Sequence, residues 1–136
     1  FKVNITRIRF GFLLTVGGVV LVAPAHAQAG GTALPPGVTP EVVEKGKAIY
    51  SGAGLCYACH GKNGEGLLAP TTKLVDHDWI HSKGTYPEIV EYIKKGVTKE
   101  ESKSGIPMPP RGGSKISDED VNAVAAYVYT ISRKKS

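Results

Sequence analysis

Three stretches of the chain carry apolar residues at helical spacing, and each is bracketed by residues that start and stop helices. In the first, Val42, Gly46, Ile49 and Tyr50 share one face. Thr39 stands ready as its N-cap, Pro40 takes the first helical position, and "SGAG" at 51–54 ends it. A middle helix is predicted from Pro87 to Gly96, with Ile89, Val90 and Ile93 as its buried face. The last begins at Ser117 and puts Asp118, Glu119 and Asp120 in the first turn, where the helix dipole favours anions. Its stripe is Val121, Val124, Ala125, Val128 and Ile131, and Arg133, Lys134 and Lys135 close it with the complementary charge. No stretch alternates in the manner of a strand, and no segment repeats. The fold class predicted is all-α. Two glycine-rich loops, 52–72 and 97–116, have no period of their own. Loops of that length in a compact domain need something to wrap around.

The N-terminal stretch has a different pattern. A basic start, "FKVNITRIR", precedes 16 uncharged residues from Phe10 to Ala25, and Ala25-His26-Ala27 offers small residues at the two positions a signal peptidase needs. Residues 1–27 therefore read as an export signal cut before Gln28. The rival reading is an uncleaved membrane anchor, although a spanning helix wants about 20 apolar residues and Gly17, Gly18 and Pro24 weaken this one. Residues 28–37, "QAGGTALPPG", read as a flexible linker, and the domain as 38–136. The expected location is the periplasm, free or anchored.

Composition adds little. The chain has 136 residues, 41% hydrophobic and 21% charged, which suits one soluble domain. Its net charge of +5 overstates its basicity, because Lys2, Arg7 and Arg9 belong to the leader; without them 14 basic residues face 12 acidic ones. No nucleic-acid partner is inferred from that balance. A domain of about 100 residues buries only some 60–65% of its unfolded surface, so a bulky apolar ligand at its centre would stabilise it.

The chemistry lies in "LCYACHGKNGEG", residues 55–66, which holds both cysteines of the chain. In an exported protein, two cysteines would ordinarily form a disulfide. A thioredoxin-like redox pair would need a strand–helix context in a βαβ unit, and no strand is predicted. A zinc site could recruit His77 and His81, one helical turn apart, but the resulting C-x2-C-x17-H-x3-H has too long a middle gap. It would also leave a helical domain unexplained. Cys56-Tyr57-Ala58-Cys59-His60 fits a third reading, covalent haem attachment. Two intervening residues put both sulfurs on one helical turn for thioether bonds, and His60 follows at once as an iron ligand. Electron-transfer haem takes a second strong axial ligand, and His/Met ligation raises its potential. The chain has one methionine, Met108, in "GIPMPPRGG". Pro107, Pro109 and Pro110 stiffen that loop, which suits holding a sulfur in place better than filling a gap. His60 and Met108 are the expected axial pair.

With "CYACH", "GIPMPP" and the terminal helix in view, residues 39–133 resemble the class I monohaem c-type cytochromes. The stretch "LVDHDWIHSKGTYPEIVEYIKKGV" with "MPPRGG" is similar to the haem domains of oxidase cytochrome c subunits and of small periplasmic carriers. The resemblance implies a cytochrome c fold, three to five helices with long loops around one covalently bound haem c. It implies a crossing of Gly46 and Tyr50 in the first helix against Tyr127 and Val128 in the last. It further implies that Trp79 lies near the haem propionates, that Arg111 could pair with one of them, and that the carbonyl of Pro70 or a neighbour orients the His60 ring. The activity implied is one-electron transfer between redox proteins such as a dehydrogenase, an oxidase or another cytochrome, by a carrier that is not itself an enzyme. A labile Met108 would instead give a gas-binding or peroxidase-like protein. Lys62, Lys73 and Lys115 are candidates to ring the haem edge and steer an acidic partner.

Overall fold

The computed structural model describes residues 33–76 and 78–133. The expected export segment, most of the linker, His77, Lys134 and Lys135 lie outside the described residues. Four α-helices follow in chain order: α1 (Pro40–Tyr50), α2 (Tyr57–His60), α3 (Tyr86–Lys95) and α4 (Asp118–Ile131), with single 3-10 turns at Pro70–Thr72 and Pro110–Gly113. Among the described residues the only β pairing is an isolated bridge between Val97 and Met108.

Each long helix begins where side-chain chemistry allows. Thr39 accepts from the Val42 amide and Pro40 opens α1. α3 starts one residue earlier than Pro87, because Thr85 forms a reciprocal cap with Glu88, whose Oε2 accepts from the Thr85 amide at 3.0 Å and from its hydroxyl at 2.7 Å. Ser117 and Asp120 form the same reciprocal cap on α4.

α4 is the centre of the molecule and packs against both α1 and α3. The predicted five-residue stripe understates it. Ala123, Ala126 and Tyr127 are buried as well, so this helix is covered on more than one side. Its contact with α1 is close. A β-carbon at Gly46 would sit 1.9 Å from the Ala123 carbonyl oxygen. Beside it the rings of Tyr50 and Tyr127 meet edge to face, centroids 5.2 Å apart, an arrangement that suits the aromatic quadrupole. The partner surface is thus Ala123 and Tyr127, while Val128 lines the cavity described below. Lys45 bridges to Glu119 and Asp120, each at 3.1 Å, and ties the start of α4 to α1.

Two expectations change. Residues 33–37, assigned to the linker, contain a turn in which the Val38 amide donates to the Pro35 carbonyl at 3.0 Å, and Pro35 is buried. Packed structure therefore begins before Val38. On α3, Ile89 and Ile93 are buried but Val90 is only partly so.

Candidate functional site

The two long loops enclose a cavity of about 210 Å³ between α3, α4 and the segment 55–82. Cys56, Cys59, His60, Trp79, His81 and Met108 all line it. The sequence separates Cys56 from Met108 by half the domain, and the fold brings them to one wall system.

The cysteine segment is held by its own backbone. α2 is one turn long, and the amides of Cys59 and His60 donate back to the Cys56 carbonyl at 3.3 and 3.0 Å. The loop beyond it returns twice, as Gly66 N–H donates to the His60 carbonyl at 2.7 Å and Leu68 N–H to that of Cys59 at 2.9 Å. Tyr50, fully buried, donates its hydroxyl to the Gly61 carbonyl at 2.7 Å and anchors the segment to α1. No disulfide joins the two cysteines. Cys56 is partly buried, whereas Cys59 is exposed. Neither the disulfide nor the strand–helix redox pair is present.

His60 is oriented by the 3-10 turn Pro70–Thr72 of the first long loop. Its Nδ1 lies 2.6 Å from the Thr72 carbonyl oxygen. A carbonyl only accepts, so Nδ1 carries the proton and Nε2 keeps its lone pair. Burial lowers the His60 pKa and the Thr72 bond opposes that shift, which leaves the neutral imidazole that a metal ligand requires. The orienting carbonyl is thus Thr72, not Pro70. Pro70 is exposed, does not line the cavity, and serves by opening the turn Pro70–Thr72. Thr72 adds a second tie: its hydroxyl donates to the Cys59 carbonyl at 2.9 Å.

Met108 reaches the cavity from a pinned backbone. Its amide and carbonyl pair with the carbonyl and amide of Val97, both at 2.8 Å. The adjacent Gly96 has φ +73°, and a β-carbon there would lie 2.4 Å from the Met108 carbonyl oxygen. Gly96→Ala should therefore displace the Met108 loop and cost about 2–3 kcal/mol from strain plus overpacking, measurable as a lowered denaturant midpoint.

Trp79 is a partly buried wall of the cavity. Arg111 is elsewhere. Its Nη1 donates to the Ile116 carbonyl at 2.7 Å and its Nη2 to Asp118 Oδ1 at 2.5 Å. It does not line the cavity; its two bonds tie the Met108 loop to the start of α4. His81 lines the cavity, and its carbonyl accepts from the Tyr92 hydroxyl. Among the described residues no three His, Cys, Asp or Glu side chains cluster as a metal site. Of the three lysines singled out, Lys73 is paired with Asp76 at 3.1 Å, while Lys62 and Lys115 are exposed.

The donor set fits one group. Two unpaired thiols on one turn, a neutral imidazole held from behind and a thioether on a stiff loop converge on an apolar cavity, which is the chemistry of a covalently held haem with two axial ligands. Comparison with known proteins supports the covalently bound haem. Residues 41–128 match the family described as cytochrome C oxidase, cbb3-type, subunit III. The chain belongs to this family. A cbb3-type cytochrome c oxidase subunit CcoP from Rubrivivax gelatinosus is 32% identical over 93 residues, covering 68% of the chain and 27% of that protein. The chain thus spans about a quarter of that relative's length. Cytochrome cL from Methylophaga aminisulfidivorans shares the fold, with a TM-score of 0.51 and 22% identity over 67% of this chain and 53% of that one. The chain is a class I c-type cytochrome with a covalently bound haem c and an electron-transfer role. Among the described residues, no helix is long and apolar enough to cross a membrane.

Sequence reasoning left some parts of the site unseen. Thr72 carried no signal, because its role depends on where the 3-10 turn points its carbonyl. Nor did the exposed apolar rim. Leu55, Leu67 and Leu68 are 47, 68 and 56% exposed, and Leu68 is bonded through its amide to the Cys59 carbonyl.

Proposed function

We propose that this domain is a one-electron carrier in which His60 and Met108 are the axial ligands of a haem joined through Cys56 and Cys59. The observation that carries the reading is the pairing of two restrained donors on one cavity: His60 with Nδ1 committed to Thr72, and Met108 on a loop bridged to Val97. When bound, the haem supplies a ferric/ferrous couple. The chain's part is to hold the imidazole lone pair and the thioether in place, to exclude water with the α3 and α4 side chains, and so to tune the potential. With both axial positions taken by side chains, the domain transfers electrons and does not turn over a substrate.

The partners proposed are redox proteins outside the cytoplasm, a cbb3-type oxidase being favoured by family membership. Docking is proposed at the exposed Cys59 edge, where Leu55, Leu67 and Leu68 give an apolar contact and Lys62 is free to steer. Residues 1–27 are proposed as the export signal or anchor that delivers the domain to the periplasm.

Absorption spectra of the matured protein test the reading. A low-spin spectrum is expected, with a weak far-red sulfur-to-ferric-iron band and no change on adding carbon monoxide to the reduced form. High-spin haem that binds carbon monoxide would point to a gas-binding or peroxidase-like protein instead.

A further inference from the structure

We propose that Arg111 is a positioning residue for Met108, locking the loop that carries the sulfur to α4 and α3 through a guanidinium–carboxylate–ammonium relay. The inference rests on the reading of Met108 as an iron ligand and names what keeps that ligand in place. The loop has a weak point just past Met108. Pro109 and Pro110 have no amide hydrogen and contribute no donors of their own. Beyond them the backbone turns left-handed at Arg111 (φ +55°), Gly112 (φ +65°) and Gly113 (φ +79°). That conformation is uncommon for a residue with a side chain and persists only where surrounding contacts fix it.

At Arg111 the contacts are present. Its carbonyl accepts from the Ser114 hydroxyl at 2.7 Å and from the Ser114 amide at 3.1 Å. Its side chain runs forward to the Ile116 carbonyl and to Asp118, the first residue of α4. The other oxygen of Asp118 accepts from Lys94 Nζ, on α3, at 2.8 Å. One carboxylate thus joins the ligand loop to both helices of the cavity wall. Isolated exposed ion pairs contribute little, and Asp118 is 62% exposed. Arg111 is only 30% exposed, and its charge-assisted bond to a backbone carbonyl is of the stronger kind. Two of the five guanidinium N–H donors are thereby committed to tying the loop to α4.

The test uses ferric holoprotein and imidazole as a competing ligand, read by loss of the far-red band at pH 7. Arg111→Gln and Asp118→Asn should each raise apparent imidazole affinity about tenfold, as losing one charge-assisted bond predicts. The double variant should go no further than Arg111→Gln alone, since Asp118 acts on the loop through Arg111. Lys94→Gln, remote from the loop, should give a smaller rise, and Arg111→Lys should recover part of the loss. Affinities within twofold of wild type in both single variants would overturn the inference. So would a shift in reduction potential confined to Arg111→Gln, which would assign Arg111 to a propionate. A wild-type ferric spectrum without the far-red band is a different failure: it would remove Met108 as a ligand, and the inference with it.

Discussion

Met108→Ala should mature and fold, yet lose the far-red band in the ferric state and bind carbon monoxide in the ferrous state. The backbone that carries the side chain is fixed independently by the Val97 bridge, so the substitution removes the sulfur without releasing the loop. The packing cost should be modest, about 2 kcal/mol, at the low end for a methionine truncation, because Met108 is only partly buried. The redox effect should be larger. Axial ligands span about 0.8 V of potential in haem proteins, and thioether ligation lies toward the high end, so a fall on the order of a few hundred millivolts is expected. Met108→His should restore a low-spin spectrum without restoring the potential. If Met108→Ala kept the far-red band, some other sulfur would be the ligand, and the chain has none that is free of the haem attachment.

Gly46→Ala should be the most damaging single-methyl substitution in the domain. The new β-carbon would meet the Ala123 carbonyl oxygen at 1.9 Å and its carbon at 2.5 Å. Both are α4 backbone atoms, so no rotamer change relieves the clash, and the two helices must separate. Separation would loosen the Tyr50–Tyr127 contact and, through Tyr50, the anchor of the cysteine segment on Gly61. Alanine is a better helix former than glycine by about 1 kcal/mol, and overpacking costs typically 1–3 kcal/mol, occasionally more. With backbone as the obstacle we expect the high end, a net loss of about 3 kcal/mol, against the 5–15 kcal/mol a domain has in total. Denaturant unfolding of the holoprotein measures it. Gly105→Ala is the control: a β-carbon there meets nothing within 4 Å although φ is +73°, so only backbone strain of about 1 kcal/mol applies. Equal stability of Gly46→Ala and wild type would mean the helices are not in contact at this point.

Much of this was legible along the chain. The three long helices declare themselves because their caps and periods are local: Thr39 with Pro40, Thr85 with Glu88, Ser117 with Asp120. The haem attachment run is legible because two thioethers to one haem require neighbouring cysteines. Met108 is legible by being the one methionine, set among prolines. By contrast α2 spans one turn, too short for any period, and exists because the loop after it bonds back onto it.

The sequence by itself determined the helical class and the attachment residues and singled out the two proposed donors, since each follows from covalent spacing or from local backbone preference. Tertiary structure alone decided three things. It made Thr72, and not Pro70, the residue that fixes the His60 tautomer, because a carbonyl's direction depends on the turn that carries it. It tied Arg111 to the Ile116 carbonyl and to Asp118 at the start of α4. It also set Gly46 against the Ala123 carbonyl. Which surfaces meet, and how closely, depends on residues far apart in the chain, and no local pattern encodes that distance.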